Sequence, residues 1–183
     1  ADIGFPVASK AVLRYQVRAA ASGIALDLAD ADDVHDAITT MTTSLGERAH
    51  DLVVQQMHHP GIGVRERCRR DDRLGVIVDA GYGGSDADVI GDTSSRLAPL
   101  SPASAAAMLT ETRVGEVLGD AGVDSSPLVD VIVLAAQLCD DQPDVHELDL
   151  NPVLVSERGA VVTDASITLI DRPDHDGPIR RLS

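Results

Sequence analysis

Glu147-Leu148-Asp149-Leu150-Asn151-Pro152 is the stretch from which the rest of the chain can be read, with Asp164 thirteen residues beyond Asn151. As a β-strand, its side chains alternate between two faces. Glu147, Asp149 and Asn151 then share one face, while Leu148 and Leu150 turn towards a core. The apolar run Val153-Leu154-Val155 follows, then a turn at Ser156-Glu157-Arg158-Gly159 and a second β-like run from Ala160 to Ile170. A four-residue loop pairs Val155 with Ala160 and sets Asn151 opposite Asp164. A two-residue turn at Glu157-Arg158 gives the same register. Opposed residues in antiparallel strands hold their Cβ atoms about 4.5–5.5 Å apart. At that distance an Asn oxygen and a carboxylate could share one hard cation, which prefers oxygen ligands. A hairpin with one solvated polar face has the same pattern, and geometry alone leaves both readings open.

With 183 residues there is room for one domain of ordinary size or two small lobes. Hydrophobic residues are 44% and aromatics only 2%, so the core must be built from Ala, Val, Leu and Ile. A net charge of -15 argues against nucleic acid and anionic membrane surfaces as partners, because both reward clustered Lys and Arg. Such a chain can still hold a phosphate-bearing ligand, for which a few backbone N–H groups and one or two cations suffice. Cys68 and Cys139 lie far apart with no CxxC spacing, which excludes a disulfide scaffold and a thiolate zinc site. Free thiols in a cytoplasmic protein are the default expectation. No apolar run approaches the roughly 20 residues that span a bilayer. Ala1-Asp2-Ile3-Gly4 has neither Met nor the regions of a signal peptide, so the chain reads as a piece of a longer one.

The remaining elements alternate. Phe5 to Val12 reads as a strand carrying Lys10, and Ile24 to Leu28 as a second. Asp30 is a fitting N-cap for a helix over 31–46, with Val34, Ala37, Ile38, Met41 and Leu45 as its apolar stripe. Leu52 to Met57 is strand-like, and the charged run Arg65–Arg73 reads as a strand with an exposed turn at Asp71-Asp72. Gly75 to Ala80 is an apolar strand running into Gly81-Tyr82-Gly83-Gly84. Ser101-Pro102 opens a helix expected to reach Gly119, burying Met108, Leu109, Val117 and Leu118. Another, over 127–140, carries Leu128, Val131, Ile132, Ala135, Leu138 and Cys139 at helical spacing. Residues 172–183 form a tail. Strands interleaved with helices argue an α/β or α+β fold.

A glycine-rich turn after a strand could present N–H groups to a phosphate, and Lys10 could reach one as a point charge. Taken singly, an ordinary turn and a surface Lys explain these features as well. Their order is more telling. FPVASK, LVVQQM, GYGGSDADVIGD with RLAPL, ELDLNPVLV and VVTDASI occur in succession. Together they resemble the ATP-grasp domain, and within it that of the NDP-forming acyl-CoA synthetases, over residues 4–170. Some relatives in that family also carry a GNAT-type acetyltransferase domain. The resemblance implies a two-lobed α/β fold, with an N-terminal lobe at 1–57 that could be cut short at its start and a C-terminal lobe at 58–171. It also implies that Lys10 contacts ATP phosphates and that Gln55, Gln56 and Met57 border the adenine. Gly81, Gly83 and Gly84 would shape the loop beneath the site. Asn151 and Asp164 would bind Mg²⁺, with Asp149 near the metal.

The chain departs from the family at several places. The family has a relay His where Val17 aligns and an Asp where Ala20 aligns, and valine has no lone pair to attack phosphorus. Gly63 stands where a Glu is usual, Arg67 where a Gly is, Asp88 where a Glu is, and Ser166 where an Arg is. Losing that Arg is expected to cost Asp149 one cationic partner, the one opposite it. None of the six histidines is placed to replace the missing one. Two expectations follow. One is a Mg·ATP-binding segment of an acyl-CoA synthetase-like or acetyltransferase-fused protein, inactive by itself, whose partners are the nucleotide and the CoA-binding remainder of its parent chain. The other is a degenerate module with a regulatory or assembly role. Self-association is left open.

Overall fold

The computed structural model describes residues 3–13, 23–46 and 49–170. The chain divides into two compact units between His59 and Pro60. In the first unit, β1 (Val7–Leu13) lies between β2 (Ile24–Leu28) and β3 (Ala49–Gln56), all antiparallel. Helix α1 (Ala31–Leu45) packs on this sheet, burying Met41 and Leu45, whereas Val34, Ala37 and Ile38 are only half-buried. Its cap is the expected one, because the Asp30 carboxylate accepts the N–H groups of Asp32 and Asp33 at 2.9 and 3.0 Å.

The second unit is built on the long strands β4 (Ile62–Asp71), β5 (Gly75–Tyr82) and β7 (Val145–Ser156). With β6 (Thr93–Leu97) and β8 (Gly159–Val162) they run in the order β6-β5-β4-β7-β8, and β9 (Ala165–Leu169) pairs with the first half of β7. The short helix α2 (Ala87–Ile90) follows β5. Three helices, α3 (Pro102–Thr110), α4 (Arg113–Asp120) and α5 (Ser126–Asp141), cover one face of the sheet. Between helices and sheet lie Met108, Leu118, Leu128 and Ile132, packed against Val64, Val76, Val78, Val153 and Val155. The fully buried apolar residues here are aliphatic, Met or Cys, and Tyr82 packs at their edge.

The expected single helix over 101–119 is two. Thr112 ends the first by donating its hydroxyl to the Leu109 carbonyl, and starts the second by accepting the Gly115 N–H. The Asp92 carboxylate takes the N–H groups of Arg113 and Val114, so the new helix start is satisfied from β6's own approach. A Cβ at Gly115 would collide with the Leu109 carbonyl, which only glycine permits. Rotated by this break, Val117 is 42% exposed rather than buried.

Helix α5 also differs from expectation in its outer face. Leu128, Val129, Ile132, Ala135, Ala136 and Cys139 are buried, but Leu138 is 44% and Leu134 64% exposed. The small pair Ala135-Ala136 sits against the sheet and centres the buried stripe there, turning Leu138 outwards. Arg70 of β4 fastens the end of this helix by donating to the carbonyls of Cys139, Gln142 and Val145.

Candidate functional site

The hairpin takes the register read from the sequence. Val155 pairs with Ala160 and Asp149 with Ser166, and the Asn151 N–H donates to the Asp164 carbonyl at 3.2 Å. Against β4, however, β7 carries one extra residue: Val64 pairs with Val153 but Glu66 with Leu150. The bulge falls at Asn151-Pro152, whose peptide bond is cis. Inward residues therefore change from Leu148 and Leu150 before it to Val153 and Val155 after it. Asn151 and Pro152 both stay out of the core, and the polar face ends at the bulge.

Asn151 is tied to the glycine-rich turn. Its Oδ1 accepts the Gly84 N–H at 2.7 Å and its Nδ2 donates to the Gly84 carbonyl at 3.3 Å. Gly84 has φ +100, a backbone that favours glycine and presents both peptide groups to the amide. Gly83 donates its N–H to the Gly63 carbonyl at 3.0 Å, and a Cβ there would meet the Val64 carbonyl carbon at 2.5 Å. Gly81 lies so close to the Asp92 carbonyl that no side chain fits. The Tyr82 N–H also goes to Asp92. The N–H groups of Tyr82, Gly83 and Gly84 are thus spent inside the protein. The glycines shape the turn, and those three N–H groups do not line a phosphate cradle.

Asp149 has the cation that Ser166 cannot provide. Arg65, from β4, donates Nε to Oδ1 at 2.9 Å and a terminal nitrogen to Oδ2 at 2.5 Å, a two-pronged grip, and reaches Asp88 at 2.7 Å with its other terminal nitrogen. The partner expected opposite Asp149 is missing, as Ser166 stands there, and the charge comes instead from the neighbouring strand on the other side. The Asp149 hydrogen bond holds the Arg65 guanidinium still further above its ordinary value, against burial, with Asp88 adding to it. Arg67 holds one oxygen of Glu147 at 2.8 Å, and Arg69 holds one of Asp79 through Nε at 2.9 Å. Each guanidinium reaches one step diagonally rather than straight across, since Arg67 is the residue directly opposite Asp149. Arg65 was missed in the sequence, although the signal was there: Arg at 65, 67 and 69 alternates in twos, as do Glu147, Asp149 and Asn151.

A cavity of about 160 Å³ opens between β5 and α2, lined by Arg65, Arg67, Asp79, Gly81, Tyr82 and Asp88. That is below the roughly 300–1,000 Å³ of usual small-molecule pockets. Among the described residues no group of three or more His, Cys, Asp and Glu gathers as a metal site. A Mg²⁺ ion needs only one or two carboxylates beside phosphate and water. Asn151 and Asp164, opposed across the hairpin with a second lone pair left on Asn151 Oδ1, fit that donor set. Asp149 keeps a lone pair on each oxygen as well, but its charge is already matched by Arg65, so it adds little to that set while the pair stands.

In the first unit, Lys10 and Gln55 stand on one face of the sheet, because Lys10 pairs with Val53 and Ala8 with Gln55. Gln56, opposite Val7, points to the other face. Met57 lies just past β3, its N–H on the Pro6 carbonyl at 3.2 Å. The relay position Val17 and the neighbouring Ala20 lie outside the described residues, as does the tail.

On the core side of β4, Glu66 is fully buried. Its Oε1 accepts the Cys68 thiol at 3.0 Å, and its Oε2 has no hydrogen-bond partner among the described residues. Burial pushes its pKa up to about 8. Cys68 and Cys139 are free and buried, and contact with Cys139, then burial, raises the Cys68 thiol.

A family model for the ATP-grasp domain matches residues 1–169. The chain belongs to the ATP-grasp domain family. Among curated proteins, this ATP-grasp chain is similar to the ADP-forming acetate–CoA ligase II of Archaeoglobus fulgidus, at 31% identity over 99% of the chain and 27% of the relative. It is also similar to the beta subunit of the ADP-forming acetate–CoA ligase I of Pyrococcus furiosus, at 26% identity over 92% of the chain and 77% of the subunit. The chain thus spans about a quarter of the first relative and about three quarters of the beta subunit. Its fold matches the dinucleotide-forming acetyl-coenzyme A synthetase 1 of Ca. Korarchaeum cryptofilum in complex with coenzyme A and Ca-AMPCP. That match has TM-score 0.82 and 30% identity, over 92% of this chain and 78% of that one. A second structure of the same synthetase, with Mg-AMPPCP, has its phosphohistidine segment pointing towards the nucleotide-binding site, and matches at TM-score 0.76. No helix among the described residues is long and apolar enough to cross a membrane.

Proposed function

We propose that this chain is the Mg·ATP-holding part of an NDP-forming acyl-CoA synthetase-like protein, and that it does not carry the relay histidine. The observation behind this reading is the fixed position of Asn151, held by Gly84 on one side and opposed by Asp164 on the other. A bound Mg²⁺ would neutralise phosphate charge, the main demand of phosphoryl transfer. Asn151 and Asp164 offer it two oxygens, and Asn151 also keeps the glycine turn in shape. Lys10, Gln55, Gln56 and Met57 keep the phosphate and adenine roles that the resemblance assigns them. The acyl and CoA chemistry would belong to the remainder of a cytoplasmic parent protein, either a CoA-binding part or one joined to an acetyltransferase.

A second reading, a degenerate module with a regulatory or assembly role, is favoured by Val17, Gly63 and Ser166, which stand where the family usually has His, Glu and Arg. Incubation with radiolabelled ATP and Mg²⁺, followed by separation of bound from free nucleotide, distinguishes the two. The first reading expects saturable binding that a chelator abolishes and no acid-labile phosphoprotein. No saturable binding would leave the second reading standing. Acid-labile label on the protein would contradict the absence of a relay.

A further inference from the structure

The open face of the sheet in the second unit carries more carboxylate than a single Mg²⁺ site needs. Asp149 sits on β7, two residues before Asn151, and Asp88 comes over from α2. On the β9 side Asp149 faces Ser166, which is neutral. On the β4 side stands Arg65, and it binds both carboxylates at once, two bonds to Asp149 and one to Asp88. The Arg65 and Asp149 side chains are 20% and 19% exposed, so this pair is largely withdrawn from water. Two carboxylates converging on one cation from different elements is also how a divalent ion is held.

Building on the nucleotide-binding reading above, we propose that Arg65 is a resident cation occupying the place that a second divalent metal would take on Asp149 and Asp88. The hairpin is then left to hold one ion, on Asn151 and Asp164. The guanidinium is suited to this because it stays charged at any working pH and its planar fork matches a carboxylate with two bonds. A second divalent ion at Asp149 would have to approach that fixed positive charge. Removing the guanidinium leaves a carboxylate that is mostly buried and has lost its counter-charge, a costly state that a metal relieves. Arg65 is therefore a positioning residue. It sets how many metals the site takes and keeps Asp149 and the short helix α2 in place.

Counting bound Mn²⁺ by the loss of the free-ion electron paramagnetic resonance signal tests this with the metal alone. Wild type, Arg65→Met, Arg65→Gln, Arg65→Lys and the double variant Arg65→Met/Asp149→Ala are compared, each checked for wild-type circular dichroism. Arg65→Met or Arg65→Gln is expected to bind one more ion per chain than the wild type. Arg65→Lys, which keeps the charge, is expected to hold the wild-type number, and the double variant to return to it. Equal numbers in wild type and both uncharged variants would overturn the proposal, as would an added ion that survives loss of Asp149. A wild type that binds no Mn²⁺ sinks the metal reading of Asn151 and Asp164, while the difference between variants still decides Arg65.

Discussion

Asn151 grips Gly84 by both of its peptide groups, accepting the N–H at 2.7 Å and donating to the carbonyl at 3.3 Å. One amide thereby joins the bulge of β7 to the turn after β5, two segments with no sequence proximity. Asn151→Ala removes both bonds and leaves a part-buried Gly84 N–H without its acceptor. A cost of about 1–3 kcal/mol is expected for such an orphaned group, read as a lower denaturation midpoint in urea. Asn151→Asp keeps the acceptor for the Gly84 N–H but sets a carboxylate oxygen against the Gly84 carbonyl, so its midpoint should also fall below the wild type. Equal midpoints for all three proteins would show that the pair contributes nothing to the fold.

The glycines of this unit divide by what surrounds them. Gly83→Ala puts a methyl 2.5 Å from the Val64 backbone, which cannot move aside without disturbing β4. Overpacking of this kind costs about 1–3 kcal/mol or more. Gly119, inside α4, has nothing within 4 Å of where a Cβ would stand and no positive φ. Gly119→Ala should therefore stabilise by about 0.4–1 kcal/mol, through reduced freedom of the unfolded chain. Thermal melts of the two variants should move in opposite directions. A Gly83→Ala protein as stable as the wild type would contradict the packing described at the turn.

Much of this arrangement was legible because strand alternation is a short-range signal. ELDLN announced its two faces, and the loop length set Asn151 against Asp164. The Asp30 cap likewise needed only neighbouring residues. What escaped was decided by distant contacts. The break at Thr112 depends on Asp92, twenty residues earlier, supplying acceptors to a new helix start. Leu138 turned outwards because the sheet selects the Ala135-Ala136 side of α5. Arg65 read as one charge in a strand, since nothing local says that Asp149 and Asp88 converge on it.

Glu66 gives the second unit a pH dependence of its own. Its folded pKa of about 8 lies above the ordinary 4.5, so the folded chain holds this proton more tightly than the unfolded chain does. Its contribution to stability is complete below about pH 4.5 and is lost as pH rises, levelling off above about pH 8. Each unit of difference corresponds to about 1.4 kcal/mol, so the loss is on the order of a few kcal/mol. Glu66→Gln, which cannot ionise, should flatten the fall in unfolding free energy between pH 5 and pH 8 measured by urea titration. The same slope in both proteins would mean that Glu66 reaches water or a cation in solution.

The hairpin's role is tested most directly by isothermal titration of ATP into the wild type and Asp164→Ala, each with Mg²⁺ and with chelator. Asp164 is exposed, and circular dichroism of Asp164→Ala checks that its truncation leaves the fold intact. The expected result is affinity weakened about tenfold or more by Asp164→Ala when Mg²⁺ is present, equivalent to at least about 1.4 kcal/mol, and no difference between the proteins in chelator. Equal affinities in Mg²⁺ would contradict a metal held between Asn151 and Asp164.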